Sequence, residues 1–181
     1  MTKQNIRYTD CFSETMGRLR QDGLLLVSSS AAGKPNVMTI GWCAIGVMWG
    51  RPVVTIMVRP SRYTYKLIEE VPEFTINVPP AGLAAAVQHC GTVSGAGHDK
   101  FHELSLDPVR SRQVVPPIIG QCVLHYECRV VHRCDMCPEK LVADLREKFY
   151  PEGNFHRYYH GEILASYADV DALKRLDEAA H

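Results

Sequence analysis

The 181 residues carry 20 basic and 20 acidic side chains, a formal net charge of zero. That balance argues against a broad nucleic-acid surface, whose footprint is a basic excess. Apolar content of 46% and charged content of 22% suit one soluble domain with a sizeable core. No apolar run approaches the ~20 residues that a membrane-spanning helix needs.

The start, Met1-Thr2-Lys3-Gln4-Asn5, lacks the apolar core of a signal peptide. Seven cysteines is an odd count, and without a secretion signal they read as reduced thiols in a cytoplasmic protein. In chain order, Phe12, Met16 and Leu19 predict a short helix ending near Gly23. Leu24 to Ser29 reads as a strand, Ala32-Gly33-Lys34-Pro35 as a turn, and Asn36 to Trp42 as the returning strand. Cys43 to Gly50 reads as a small-residue loop. Trp49-Gly50-Arg51-Pro52 then turns the chain into a buried strand, Val53 to Val58.

Tyr63, Leu67, Ile68 and Val71 recur at helical spacing, so a helix is expected from near Ser61, with Ser61 as its N-cap. Glu73 to Val78 alternates as a half-buried strand, and Pro79-Pro80 breaks it. Ala81 to His89 is helical, Cys90 to Gly97 is a loop, and Asp99-Lys100-Phe101 is a short helical piece. Val114 to Gly120 is extended. Gln121 to His132 reads as the longest strand, with Cys122, Leu124, Tyr126, Cys128 and Val130 on one face and His125, Glu127 and Arg129 on the other. Pro138 to Phe149 reads as one amphipathic helix, Arg157 to Tyr167 as the last strand and Val170 to Ala180 as a closing helix. Six or seven strands with early hairpins and short helices predict a mainly β domain with peripheral helices, folded as an antiparallel barrel. Neither a G-x-G-x-x-G nor a Walker pattern occurs, so a parallel dinucleotide-binding sheet is not expected.

The segment Arg59-Pro60-Ser61-Arg62-Tyr63-Thr64 joins a buried strand to a helix start. Two guanidinium groups, two hydroxyls and free helix-start amides are the chemistry of a phosphate site. The plainer alternative is a capped helix with two solvated arginines.

These motifs resemble the flavin reductase-like proteins, with the flavoredoxins nearest among them. The resemblance rests on Asn36-Val37-Met38-Thr39-Ile40-Gly41-Trp42, on Arg59 to Thr64, on Phe74-Thr75-Ile76-Asn77-Val78, on Cys90-Gly91-Thr92-Val93-Ser94-Gly95, on Asp99-Lys100-Phe101 and on Gly161-Glu162. It runs in order from about residue 20 to 167 of a single domain. It implies a Greek-key split β-barrel that binds FMN and works as a homodimer. The phosphate contacts would fall on Ser61, Arg62 and Thr64, with Arg59 and Lys100 assisting, and Tyr63 and Ser94 belong to the same site. The isoalloxazine contacts would fall on Thr39, Trp42, Cys43 and Ala44. Similar reductases place a residue near the nicotinamide just before Gly161-Glu162, which makes His160 the candidate catalytic residue.

The expected function is FMN-dependent oxidoreduction, passing electrons from NAD(P)H or a redox protein to a flavin or protein acceptor. One alternative is an FMN electron carrier without a small substrate. Another is thiol or metal redox chemistry at Cys134-Asp135-Met136-Cys137. The plainer reading of that motif, a strand ending at a helix start, is preferred, and no metal site is expected.

Overall fold

A computed structural model of the chain describes residues 3–177. The strands are β1 (Lys3–Asn5), β2 (Leu24–Ser29), β3 (Pro35–Ile40), β4 (Cys43–Met48), β5 (Arg51–Val58), β6 (Glu73–Val78), β7 (Pro108–Val109), β8 (Ile118–Ile119), β9 (Leu124–Asp135) and β10 (Arg157–Asp169). The helices are α1 (Phe12–Gln21), α2 (Tyr63–Glu70), α3 (Ala84–Thr92), α4 (Lys100–Glu103), α5 (Ala143–Phe149) and α6 (Ala172–Asp177). Among the described residues, no helix is long and apolar enough to cross a membrane.

The main sheet runs β3-β2-β6-β9-β10-β5-β4, all antiparallel. β10 is longer than β9, at 13 residues against 12. Its first half pairs β5, and its far end pairs β1 from Lys3↔Asp169 to Asn5↔Tyr167. The sheet curls into an unclosed barrel around Leu24, Leu26, Val54, Ile56, Phe74, Ile76, Tyr126 and Tyr159, all of them fully buried. A second cluster (Leu25, Val27, Val37, Val87, Phe101 and Ile119) fills the space between β2–β3 and helices α3 and α4. β2 is buried along its whole length because it serves both clusters with alternate residues.

Several sequence-level boundaries shift. Cys43 to Met48 is an edge strand rather than a loop, paired with β5 from Cys43↔Ile56 to Met48↔Arg51. The two-residue hairpin Trp49-Gly50 allows this, since both residues adopt positive φ (53° and 70°). The segment from Pro138 splits into a short 3₁₀ turn, Pro138–Lys140, and α5, leaving Val142 and Leu145 exposed. Only Ile118–Ile119 of the expected extended segment 114–120 is a strand. The closing helix is described as far as Asp177, and the expected residues 178–180 lie outside the described part. His125 and Glu127 are fully buried although they sit opposite the apolar face of β9, because the strand is covered on both sides.

Candidate functional site

The connection β5–α2–β6 carries the chain from one flank of the sheet to the other. It sets the start of α2 beside β3, which α3 and α4 also flank. A pocket forms where these elements converge, lined by Asn36 and Thr39 of β3, Ser61 to Thr64, Gly91 at the end of α3, the Ser94-Gly95 turn and Lys100.

Its electrostatics are one-sided. Lys100 is 4% exposed, and its Nζ donates to Val93 O (3.0 Å) and Cys90 O (3.3 Å). Burial pushes its pKa below the usual lysine value; the Cys90 side chain opposes this, and the nearby Arg62 charge adds a smaller push downward, with Glu103 acting weakly against it. Arg62 has no side-chain hydrogen bond or ion pair among the described residues, and no carboxylate lines the pocket. An anion placed here relieves the repulsion between Arg62 and Lys100.

The hydroxyls are arranged to donate. Thr64, almost fully buried, accepts from Asn36 Nδ2 (2.8 Å), which leaves its own proton free. Ser61 Oγ likewise accepts from Asn154 Nδ2 (2.7 Å). Ser61 is therefore not the N-cap of α2. Arg62 occupies that position, no side chain caps the helix, and its first turn holds no acid. The unused amides of that turn are available to an anion. Gly95 is required for the arrangement: a Cβ there would lie 1.8 Å from Asn36 Oδ1, displacing the group that orients Thr64.

A second, wider pocket opens from the first and shares Met38, Thr39 and Arg62 with it. Its remaining lining is Ile40, Gly41, Trp42, Met57, Arg59 and His156. The Trp42 ring meets Phe149 edge-on at 5.1 Å and tilts against His156 at 5.2 Å, so one of its faces stays open as a wall. Two methionines, a tryptophan and exposed backbone suit a flat, polarizable ring system. Arg59 sits here rather than at the phosphate pocket, donating to Phe149 O (2.8 Å) and lying over the Tyr150 ring. Its role is to pin the 149–156 loop.

Nine of the eleven expected contacts therefore converge on one of the pockets: Thr39, Trp42, Arg59, Ser61, Arg62, Tyr63, Thr64, Ser94 and Lys100. The Thr39 hydroxyl is already committed to Val87 O, so Thr39 offers the pocket its surface and not its proton. Cys43 and Ala44 line neither pocket. Cys43 packs against the barrel core, and burial raises its thiol pKa to about 11. Ala44 lies in a cross-strand row with Thr55, His160 and His132 on the other face. Met57, two residues along β5 from Thr55, borders the wider pocket, so His160 sits beside that pocket and not in it.

Asn36, Met57, Asn154 and His156 were missed in the sequence. Asn36 and Met57 read as ordinary strand residues, and nothing local marks a loop residue such as Asn154 as reaching 93 positions back to Ser61.

His156 supplies a pH test. Burial, then the charges of Arg59 and Arg62, lower its pKa to about 4, and Tyr150 Oη lies 2.6 Å from its Nδ1. The unfolded chain binds this proton near pH ~6.5 and the folded chain only near pH 4, so stability falls as pH drops through that window. His125, fully buried, contributes in the same direction. Urea midpoints of His156→Gln should therefore depend less on pH between 6.5 and 4 than those of wild type. Parallel curves would show that His156 does not contribute.

Residues 16–174 match the flavin reductase-like domain family. The chain is 40% identical to an uncharacterized protein of Archaeoglobus fulgidus over 102 residues, 56% of this chain and 57% of the relative. It thus spans little more than half the length of that curated relative. Among solved structures it is similar to the flavoredoxin of Methanosarcina acetivorans, with TM-score 0.64, 28% identity, and 82% and 69% of the two chains covered. It also shares its fold with an FMN-binding domain of a flavin reductases-like enzyme from Shewanella baltica, with TM-score 0.66, 17% identity, and 94% and 78% covered. An open split barrel with a basic pocket beside an aromatic-walled one agrees with a family match over nearly the whole chain, and the chain belongs to the flavin reductase-like family.

Proposed function

We propose that the protein is an FMN-dependent oxidoreductase, taking electrons from NAD(P)H or a protein donor and passing them to a flavin or protein acceptor. The observation that carries this reading is the Arg62 guanidinium, without an ion-pair partner among the described residues, beside buried Lys100 in a pocket that no described carboxylate lines and that shares its lining with the pocket at Trp42. A phosphate dianion answers the first half and a flat ring the second, and FMN joins the two. The protein with FMN-binding domain in its name from Shewanella baltica, similar in fold, supports the choice of FMN over FAD. When bound, the flavin supplies the hydride and single-electron chemistry.

The chain's own residues bind and orient. Arg62, Lys100 and the hydroxyls of Thr64 and Ser61 hold the phosphate. Trp42, Met38 and Met57 flank the ring, and Arg59 keeps the 149–156 loop against Trp42. The open side at Trp42, 39% exposed, is the reason to expect a homodimer in which a second copy shelters the ring. Seven free thiols suit a reducing cytoplasm.

Purified protein should carry oxidised flavin absorbance, or acquire it by binding added FMN with quenched fluorescence. A colourless protein that binds no FMN overturns the reading.

His160 is assigned to the donor side, since it stands one row from the ring pocket on the open face. His160→Ala should leave FMN affinity unchanged and slow reduction by NAD(P)H by about tenfold or more, the equivalent of about 1.4 kcal/mol. Photochemical reduction should be unaffected. A wild type that no nicotinamide reduces points to the electron carrier instead.

A further inference from the structure

We propose that His132, Cys134 and His160 form a binding site for a transition-metal dication of the zinc class, with two imidazoles and one thiolate as ligands. Alternation along β9 places His132 and Cys134 two residues apart on the same face. The antiparallel register sets His160 of β10 directly opposite His132, and Tyr158 opposite Cys134. The three ligand atoms lie within 4.8 Å of one another. Tetrahedral bonds of about 2.0 Å to nitrogen and about 2.3 Å to sulfur require ligand separations of roughly 3.3–3.5 Å. Side-chain rotations that shorten the longest separation by about 1.3–1.5 Å close that difference, and His132 and Cys134 are exposed and can make them.

Two further observations point to a ligand. Thr55 Oγ1 lies 2.8 Å from His160 Nδ1, which fixes the ring and leaves Nε2 as the outward atom. Orientation of a metal-binding imidazole through its other nitrogen is the usual outer-sphere arrangement. Trp49, held at positive φ (53°) in the β4–β5 hairpin, places its indole 6.0 Å from the His132 ring and 6.3 Å from the His160 ring. A bulky residue in that backbone region is strained, and here it walls one side of the histidine pair.

The donor set is borderline to soft, which favours zinc-class cations over magnesium or calcium. Binding releases the Cys134 thiol proton to solvent. Cys137 stays outside, since its Sγ–H donates to Glu139 Oε1 at 2.8 Å. Three protein ligands leave a fourth position for water. A cation held on His160 Nε2 also closes that residue to an electron donor; this consequence rests on the flavin reading, whereas the binding does not.

The test uses the tag-free full chain as isolated and Zn²⁺ alone. Calorimetric titration should give one ion per chain with roughly micromolar or tighter affinity. X-ray absorption at the zinc edge should show one sulfur near about 2.3 Å and two nitrogens near about 2.0 Å. Cys134→Ala and His132→Ala should each weaken binding at least tenfold, Thr55→Val should weaken it less, and Cys137→Ala should leave it unchanged. Absence of stoichiometric binding, a shell without sulfur, or equal affinity in Cys134→Ala overturns the proposal. None of these readouts uses electron transfer, so failure here and failure of the flavin reading are distinguishable.

Discussion

Arg62→Ala should weaken FMN binding by about 1.5–3 kcal/mol, roughly 10- to 150-fold, the range for a charge-assisted hydrogen bond to phosphate. Among the described residues the guanidinium has no hydrogen-bond or ion-pair partner to lose, so the fold should be unaffected. It faces both pockets but carries no apolar part of either core cluster. Riboflavin, which lacks the phosphate, should therefore bind wild type and variant nearly alike. Titration of both ligands by flavin fluorescence separates the outcomes. Equal losses for FMN and riboflavin would place Arg62 at the ring and not at the phosphate. Lysine should restore only part of the affinity, because a point charge cannot match two phosphate oxygens as the fork does.

Glu127→Ala should be the most destabilising of the substitutions considered, by about 3–5 kcal/mol. Glu127 is fully buried at the far side of β9. Its carboxylate accepts from Arg112 N (2.8 Å), Gln113 N (2.6 Å) and the Tyr167 hydroxyl. Truncation leaves two backbone amides and a buried phenol without partners. Glu127→Gln keeps the shape and part of the acceptor capacity, so it should lose less. Urea unfolding of both variants measures the difference. A loss below about 1 kcal/mol in the alanine variant would show that water replaces the carboxylate.

The apolar runs determined where the strands of the barrel lie. Leu24 to Ser29, Val53 to Val58 and Phe74 to Val78 are strands because β-branched and apolar residues bounded by turn residues have few other stable arrangements. The chemistry of Arg62, Thr64 and the helix start was legible for the same reason. Local composition sets it within one strand-to-helix connection, whereas the pocket these residues line is completed by Asn36 and Thr39 of β3, Gly91, Ser94-Gly95 and Lys100. Tertiary structure decided what depends on distant partners. Arg59 goes to the 149–156 loop and Ser61 is bonded by Asn154, because a loop that closes over the pocket claims both. Cys43 faces the core once the supposed loop pairs as an edge strand, since pairing with β5 imposes alternation on its side chains. The Cys134-x-x-Cys137 spacing offered joint thiol or metal chemistry only as an alternative to a plain strand end. The antiparallel register instead sets Cys134 beside His132 and His160, the latter 26 positions away on the neighbouring strand, and leaves Cys137 to Glu139. Side-chain alternation is a local rule readable along one strand, whereas which strands meet, and in what register, is settled only when the whole sheet packs around its core.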